Sequence, residues 1–550
     1  MAFSWSVVGM VLALLIASIF TVPIIYEIQS ISVYTYLEIR FKSRFLRMLG
    51  SVLFTLSVLM YMAVVLYAPA IALSGVTEIP TWVLIVSIGV VCTFYTSIGG
   101  LKAVVWTDTF QAFVMYGGSL ALIIMGTNSV GSVSKVWHIN RVNQRLDGLT
   151  NIDPNPFQYM TVWTALFGGI FYWLGSVGAN QLILQRYCSM SSMRKAQGMI
   201  LVAIPFQTLI AVMVIYTGLI MFAHYQQLGC DPVKSGQITT KDQLVIFFMI
   251  DIFQNIPGLP GLFLACLFSG TLSTVSSGIN SLSAVSVEDF VKPLVLRCAG
   301  RRITDRSATV LTIAVGVFYG ACSMGLAFSA EPLGGIFNAV VSALGALVGP
   351  LLGLIFLGIL IPWANWIGAL SGTIVAGCLD MWVFIGAVIT KPPKPVLPTT
   401  IANCTSTLHA NATLTTAVSN VISNVTIIAP TAVSDLDSWL MRFYAMSYFM
   451  YPLVGALTVI FIGSIVSVLT GGSDITSYHP NTVYWTYKNE AKNAKISAFD
   501  AELEGYDERA RIWKERPTLQ MQDKVPNERL SDNFPYIDEI AENQSRNQNR

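Results

Sequence analysis

The residues with chemistry to offer sit inside apolar stretches. The densest set is Ser269-Gly270-Thr271-Leu272-Ser273-Thr274-Val275-Ser276-Ser277-Gly278-Ile279-Asn280-Ser281, a hydroxyl-rich run within an otherwise apolar segment. Hard, small cations prefer oxygen ligands, and hydroxyls with freed backbone carbonyls supply them without a fixed charge. The same residue types also serve as packing glue between membrane helices, and Ser or Thr can bond back to its own helix. Composition leaves both readings open. Two carboxylates lie within apolar spans: Asp108, near a span start in Trp106-Thr107-Asp108-Thr109-Phe110-Gln111, and Asp380, in mid-span. Ionisable residues within apolar spans are functional candidates by default, although an Asp near a span start also suits a helix N-terminus. A transport role is assigned to Asp108, and an interhelical hydrogen bond to Asp380.

Catalytic chemistry has little to stand on. His138, His409 and His479 fall in loops, and His224 at the end of a span. No H-E-x-x-H motif occurs and no His-based dyad can form at depth, so the chain is not read as an enzyme. Another apolar stretch, Phe167-Gly168-Gly169-Ile170-Phe171-Tyr172-Trp173-Leu174-Gly175-Ser176-Val177-Gly178-Ala179-Asn180-Gln181, is interrupted by glycines and closes on an Asn-Gln pair. Glycine-interrupted helices mark midplane binding sites in secondary transporters, and equally permit close helix packing. Tyr61, Tyr67 and Pro69 in the second apolar stretch suggest a kink with an aromatic lining.

These residues must be held by membrane helices. The chain has 550 residues, 54% hydrophobic and 11% charged, with a mean hydropathy of +0.63. A soluble globule could not hide so much apolar surface. The last 80 residues hold 25 of the 62 charges, so residues 1–470 read as a membrane domain and 471–550 as a water-facing, largely disordered tail. A soluble enzyme, a secreted disulfide scaffold and a coiled coil are excluded. A net charge of +2 without a basic run gives a nucleic-acid partner no support.

A span needs about 20 apolar residues. Eleven are read, at 6–26, 48–75, 81–99, 103–126, 161–184, 196–223, 258–286, 307–329, 333–360, 365–390 and 438–469. Alternate loops carry 13 and 7 basic residues, and the richer set, beginning with Arg40, Lys42, Arg44 and Arg47, is placed in the cytoplasm. The amino terminus is then external and the tail cytoplasmic. The external 391–437 loop carries sequons at Asn403, Asn411 and Asn424. Of eight cysteines, Cys230 and Cys404 alone fall in external loops; an oxidising exterior pairs them, and the other reading is two unpaired thiols. The disulfide is the expectation.

Several longer motifs then combine. Phe94-Tyr95-Thr96-Ser97-Ile98-Gly99-Gly100-Leu101-Lys102-Ala103-Val104-Val105-Trp106-Thr107-Asp108 resembles the signature of the sodium/solute symporters. Gly178-Ala179-Asn180-Gln181 with Gln185-Arg186-Tyr187, Pro257-Gly258-Leu259-Pro260-Gly261-Leu262-Phe263, and Ser269-Gly270-Thr271-Leu272-Ser273-Thr274 resemble its monocarboxylate, multivitamin and iodide branch. The resemblance runs from about residue 5 to 470 and does not reach the tail. It implies an all-α, polytopic LeuT-type bundle of two inverted repeats, with substrate and sodium ions bound near the midplane. It implies that Ser273, Thr274 and the Gly270 carbonyl hold sodium, that Asp108 and Gln111 handle sodium, and that Tyr61 and Gln181, with Asn180 beside it, line the substrate cavity.

The resemblance also implies about thirteen spans, and Met1 to Tyr26 matches the family's third. The expectation is therefore an amino-terminally incomplete bundle of about eleven helices, with an open cleft along Tyr61, Gln181 and Ser273 and poor transport. The function expected of the family is sodium-coupled symport of small organic anions across the plasma membrane; the rival is a non-transporting regulatory or sensor protein. Cys230-Asp231-Pro232 and Lys241-Asp242-Gln243 lean toward the monocarboxylate branch, Pro205-Phe206-Gln207 toward the multivitamin branch.

Overall fold

The computed structural model describes residues 1–473, apart from 29, 75–76, 78, 239, 254–255, 301–302, 330–335, 393–396 and 405–438, together with Thr482 and Val483. Asn411, Asn424 and nearly all of the tail lie outside the described residues, which fall in one compact unit, Met1–Asn493.

Every regular element among the described residues is helical. The first three are α1 (Ser4–Ile28), α2 (Thr35–Phe41) and α3 (Arg44–Ser74). Then come α4 (Thr81–Gly100), α5 (Val104–Val130), α6 (Val133–Val142), α7 (Val162–Gly178) and α8 (Gln181–Cys188). The second half holds α9 (Met193–Leu228), α10 (Leu244–Phe253), α11 (Leu259–Ala299) and α12 (Asp305–Ala327). It ends with α13 (Ile336–Leu360), α14 (Trp366–Thr390), α15 (Trp439–Tyr444) and α16 (Met450–Leu469). Among the described residues ten helices are long and apolar enough to cross a membrane, eleven if the bent pair α7–α8 is taken as one span.

Local chemistry explains the breaks. Gly100 takes φ +57°, a conformation that side chains disfavour, and there the chain turns from α4 into α5. Thr161 and Thr164 form a reciprocal capping box that starts α7. At the end of α7 the helix stops at Ala179, Asn180 turns extended, and its side chain accepts the Leu182 N–H at 3.0 Å to start α8. The two halves meet at 54°. Backbone left free by such a break survives at membrane depth only where protein or a cavity receives it.

Two spans differ from expectation. The seventh does not stop at residue 286; helix continues through a π turn, Val287–Val291, to Ala299, which carries Asp289 into the bundle. The last is not one helix over 438–469. Its first part is the short α15, then a turn, and the span itself is Met450–Leu469, where Pro452 sits in the first helical turn and needs no N–H partner.

α4 and α5 together pack along α11, α1 along α7, and α13 and α14 along α16. Glycines permit the closest approaches: a Cβ on Gly9 of α1 would meet the Leu166 carbonyl oxygen at 2.8 Å. α13 is central, with 89% of its apolar window buried, whereas α9 has 6% buried and lies at the periphery.

Candidate functional site

The break between α7 and α8 opens beside the hydroxyl run of α11. Tyr61 of α3, Trp173 of α7, Asn180 at the break, Arg186 of α8, and Ser273, Thr274 and Ser277 of α11 line one cavity of about 320 Å³. The Thr274 hydroxyl donates to the Gly270 carbonyl at 2.9 Å, and Tyr61 is in hydrogen-bond reach of Thr274. Ser273 stands one residue before it on the cavity wall. Three of the oxygens expected to serve a cation therefore share one turn of α11.

Asp108 is inside the protein, its side chain 11% exposed, and not a solvated helix-end acid. Arg186 Nη2 donates to Asp108 Oδ2 at 2.6 Å and to the Ser277 hydroxyl at 2.5 Å, and Ser277 in turn reaches Asp108 at 3.4 Å. Asp108 Oδ1 and Gln111 Oε1, three residues apart on α5, are buried with no hydrogen-bond partner among the described residues. Buried acceptors without donors are costly, and a cation or a hydrogen-bond donor would relieve them. The donor set of hydroxyl, carboxylate and amide oxygens suits a hard cation such as sodium.

Gln181 is placed differently from the expectation. It is fully buried, its Oε1 accepting the Val33 N–H at 2.8 Å and its Nε2 donating to the Ile31 carbonyl at 2.7 Å. Its amide is spent on backbone and does not line the cavity, because the segment between α1 and α2 needs those partners. Of the three residues along which an open cleft is expected, Tyr61 and Ser273 line one cavity and Gln181 does not. Asp380 is buried, set against Gly349 and Gly455, and its Oδ2 has no hydrogen-bond partner among the described residues, so the expected interhelical bond is not made there.

The inner cavity shares Tyr61, Tyr172, Trp173 and Leu344 with an apolar vestibule of about 460 Å³ that reaches Phe3, Asp242 and Phe449. At that end Cys230 and Cys404 form a disulfide, S–S 2.08 Å and Cα–Cα 4.8 Å. Gly229, at φ +69°, leaves room for the exposed Asn403, whose N–H donates to the Gly229 carbonyl at 3.0 Å. The opposite end is tied shut by a network the sequence did not reveal. Asp289, fully buried, accepts from Arg47 Nη2 and the Ser51 hydroxyl at 2.5 Å each and from the Ser32 hydroxyl at 2.6 Å. Only the Arg47 charge was visible in the sequence, as part of a basic loop. Nearby, the buried Arg40 donates to carbonyls of Gly358, Ile361, Pro362 and Ala364, closing the last turn of α13.

A broken helix facing a hydroxyl-bearing partner across a central cavity is the architecture of a secondary membrane transporter of the LeuT type. Residues 1–376 match the sodium:solute symporter family, and the chain belongs to that family. It is 38% identical over 473 residues to the sodium-dependent multivitamin transporter of Oryctolagus cuniculus, covering 86% of this chain and 72% of the relative. It is 39% identical over 454 residues to sodium-coupled monocarboxylate transporter 1 of Homo sapiens, covering 82% and 72%. The fold is similar to the substrate-bound outward-open state of a Na+-coupled sialic acid symporter, with a TM-score of 0.65, 21% identity and coverage of 86% and 84%. The chain is thus a sodium-coupled transporter of small molecules, not an enzyme, and sodium is its coupling ion.

Proposed function

We propose that the protein symports sodium with small organic monocarboxylates, vitamin-like acids included, across the plasma membrane by alternating access. The observation that carries this reading is the composition of one cavity wall. Ser273 and Thr274 offer oxygens to a cation there, and Arg186 offers a guanidinium to an anion. Only Arg186 Nη2 is engaged among the described residues, so Nε and Nη1 remain for a substrate carboxylate. A volume of about 320 Å³ is at the low end of small-ligand pockets, roughly 300–1,000 Å³, and favours a small acid. The relatives' names support the same substrate class.

In this reading Ser273, Thr274 and Gly270 form the sodium site, Asp108 and Gln111 a second polar station, and Tyr61 and Asn180 the substrate wall. Gln181 holds the 31–33 segment in place. The disulfide end is external, which agrees with the sequon at Asn403 and the basic residues at the other end; the amino terminus is external and the tail cytoplasmic. Each sodium charge moved inward adds about 2.3 kcal/mol per 100 mV of membrane potential. The test is uptake of lactate, and separately biotin, into proteoliposomes with a sodium or a choline gradient. Slow but saturable lactate uptake that needs sodium is expected, with biotin slower still. Uptake indifferent to sodium, or none of either acid, overturns the proposal.

A further inference from the structure

A second cavity, of about 570 Å³, opens at the disulfide end, apart from the central one. Its floor is the last turns of α9, and its rim is the 231–234 loop and the 397–400 segment, bound together next to the Cys230–Cys404 bridge. The Asp231 N–H donates to the Thr400 carbonyl at 3.0 Å, and Lys234 Nζ to the Thr399 carbonyl at 3.1 Å. The rim is therefore built, not a chance hollow between loops.

Its charge is one-sided. Arg145, Lys234 and Lys241 line it, and Asp231 is the single carboxylate among the lining residues. Its Oδ1 accepts the N–H groups of Val233 at 2.9 Å and Lys234 at 3.4 Å, which holds it against the rim and leaves three cations to one carboxylate. The Arg145 guanidinium lies 4.0 Å from the centre of the Phe222 ring and donates Nη2 to the Pro398 carbonyl at 2.7 Å. Its Nε is buried with no acceptor among the described residues. A stacked guanidinium is held in one plane and presents its remaining N–H groups as a preformed fork. Tyr159, Tyr225 and Leu244 supply an aromatic and apolar interior.

We propose that this cavity is a second binding site, on the external face, for small carboxylates with a flat apolar body, and that it binds them without sodium. A carboxylate meets Arg145 at the apolar floor, Lys234 and Lys241 close over it from the rim, and the ring stacks among Tyr159, Phe222 and Tyr225. Lys241 is followed directly by Asp242, which lines the vestibule leading to the central cavity. Occupancy here places the anion beside the transport path.

The probe is radiolabelled benzoate, with benzamide as its uncharged isostere. Binding is measured to the 550-residue chain in lipid nanodiscs, once in sodium chloride and once in choline chloride. The expected result is saturable benzoate binding in choline that benzamide does not displace. Arg145→Gln weakens it about tenfold or more, the loss of a charge-assisted hydrogen bond. The paired change Lys234→Gln with Lys241→Gln, two exposed side chains whose replacement leaves folding alone, weakens it several-fold and carries the test if the Arg145 variant does not fold. No saturable binding in choline, equal displacement by benzamide, or full binding by the double lysine variant overturns the proposal. Failure of the central-site reading shows separately, as the absence of any additional binding when sodium replaces choline.

Discussion

Arg186, on the helix that restarts after the α7 break, and Asp108, on α5, meet at 2.6 Å with Ser277 of α11 completing the triangle. Three elements are thereby tied at the edge of the central cavity by one guanidinium. A carboxylate inside a helical bundle is costly unless paired, and Arg186 is that pair. Asp108 Oδ1, and Gln111 Oε1 three residues on, have no hydrogen-bond partner among the described residues.

Asp108→Asn is expected to raise the sodium concentration for half-maximal uptake at least threefold while shifting the substrate KM less. The charge-neutral amide keeps the shape but loses the attraction for a cation. Arg186→Gln is expected to raise the substrate KM more and to lower stability by about 1–3 kcal/mol, since Asp108 is left unpaired. Initial rates over a sodium and substrate grid, with thermal unfolding in parallel, separate the two. Equal effects of both changes on sodium and on substrate would count against the division of roles.

Removing one hydroxyl from α11 tests the cation site directly. Ser273→Ala and Thr274→Ala are each expected to weaken apparent sodium affinity about 2- to 10-fold, corresponding to about 0.5–1.5 kcal/mol for one oxygen ligand. Thr274→Ser retains the hydroxyl and is expected to stay near wild type. Sodium activation curves that superimpose for all three would remove these residues from the site.

Gln181→Ala is expected to behave as a structural lesion. The buried Val33 N–H loses its acceptor, at a cost of about 1–3 kcal/mol, and the half-buried Ile31 carbonyl loses a donor. Stability and maximal rate fall, and the substrate KM of the folded fraction stays close to normal. A selective rise in KM at unchanged stability would restore the cavity-lining role expected from resemblance.

The Arg47–Asp289 contact holds the end away from the disulfide. Asp289→Ala removes the buried partner of Arg47, leaves it only Glu38 at 2.9 Å, and frees the Ser32 and Ser51 hydroxyls, which is expected to cost about 1–3 kcal/mol. Asp289→Asn keeps an acceptor and is expected to lose less. Chemical denaturation of both variants in detergent ranks them; identical midpoints to wild type would show that the network is not holding the bundle.

Cys230 and Cys404 close a loop of 174 residues. Cys404→Ser is expected to lower stability by about 2–4 kcal/mol and to expose Cys230 to a membrane-impermeant maleimide on intact cells. Wild-type protein remains unlabelled there until reduced. Labelling of wild type without reductant would refute the external bridge.

Much of this molecule was written in local sequence. The spans follow from runs of apolar residues, because a helix in lipid must satisfy its own backbone whatever surrounds it. The α7 break was legible because glycines and the Asn180-Gln181 pair are local chemistry, and the Cys230–Cys404 bridge because few cysteines shared one side. Span ends were less legible: nothing near residue 286 marks a stop or a continuation, and packing of Asp289 against Arg47 carries the helix onward.

What each span faces was decided by tertiary structure alone. α13 and α9 have nearly the same mean hydropathy, 2.4 and 2.3, yet 89% of one window is buried and 6% of the other. Lipid and protein interior are equally apolar, so hydropathy cannot tell a central helix from a peripheral one. The polar contacts follow the same rule. Arg186 finds Asp108 from 78 residues away and Arg47 finds Asp289 from 242, and no local pattern pairs them. Gln181 sits in a motif that implied a cavity residue, and its buried amide was claimed instead by the backbone of residues 31 and 33. Residue types determined which chemistry was possible; the path of the chain decided which groups met, because a side chain's partners are set by the helices packed against it and not by its neighbours in sequence.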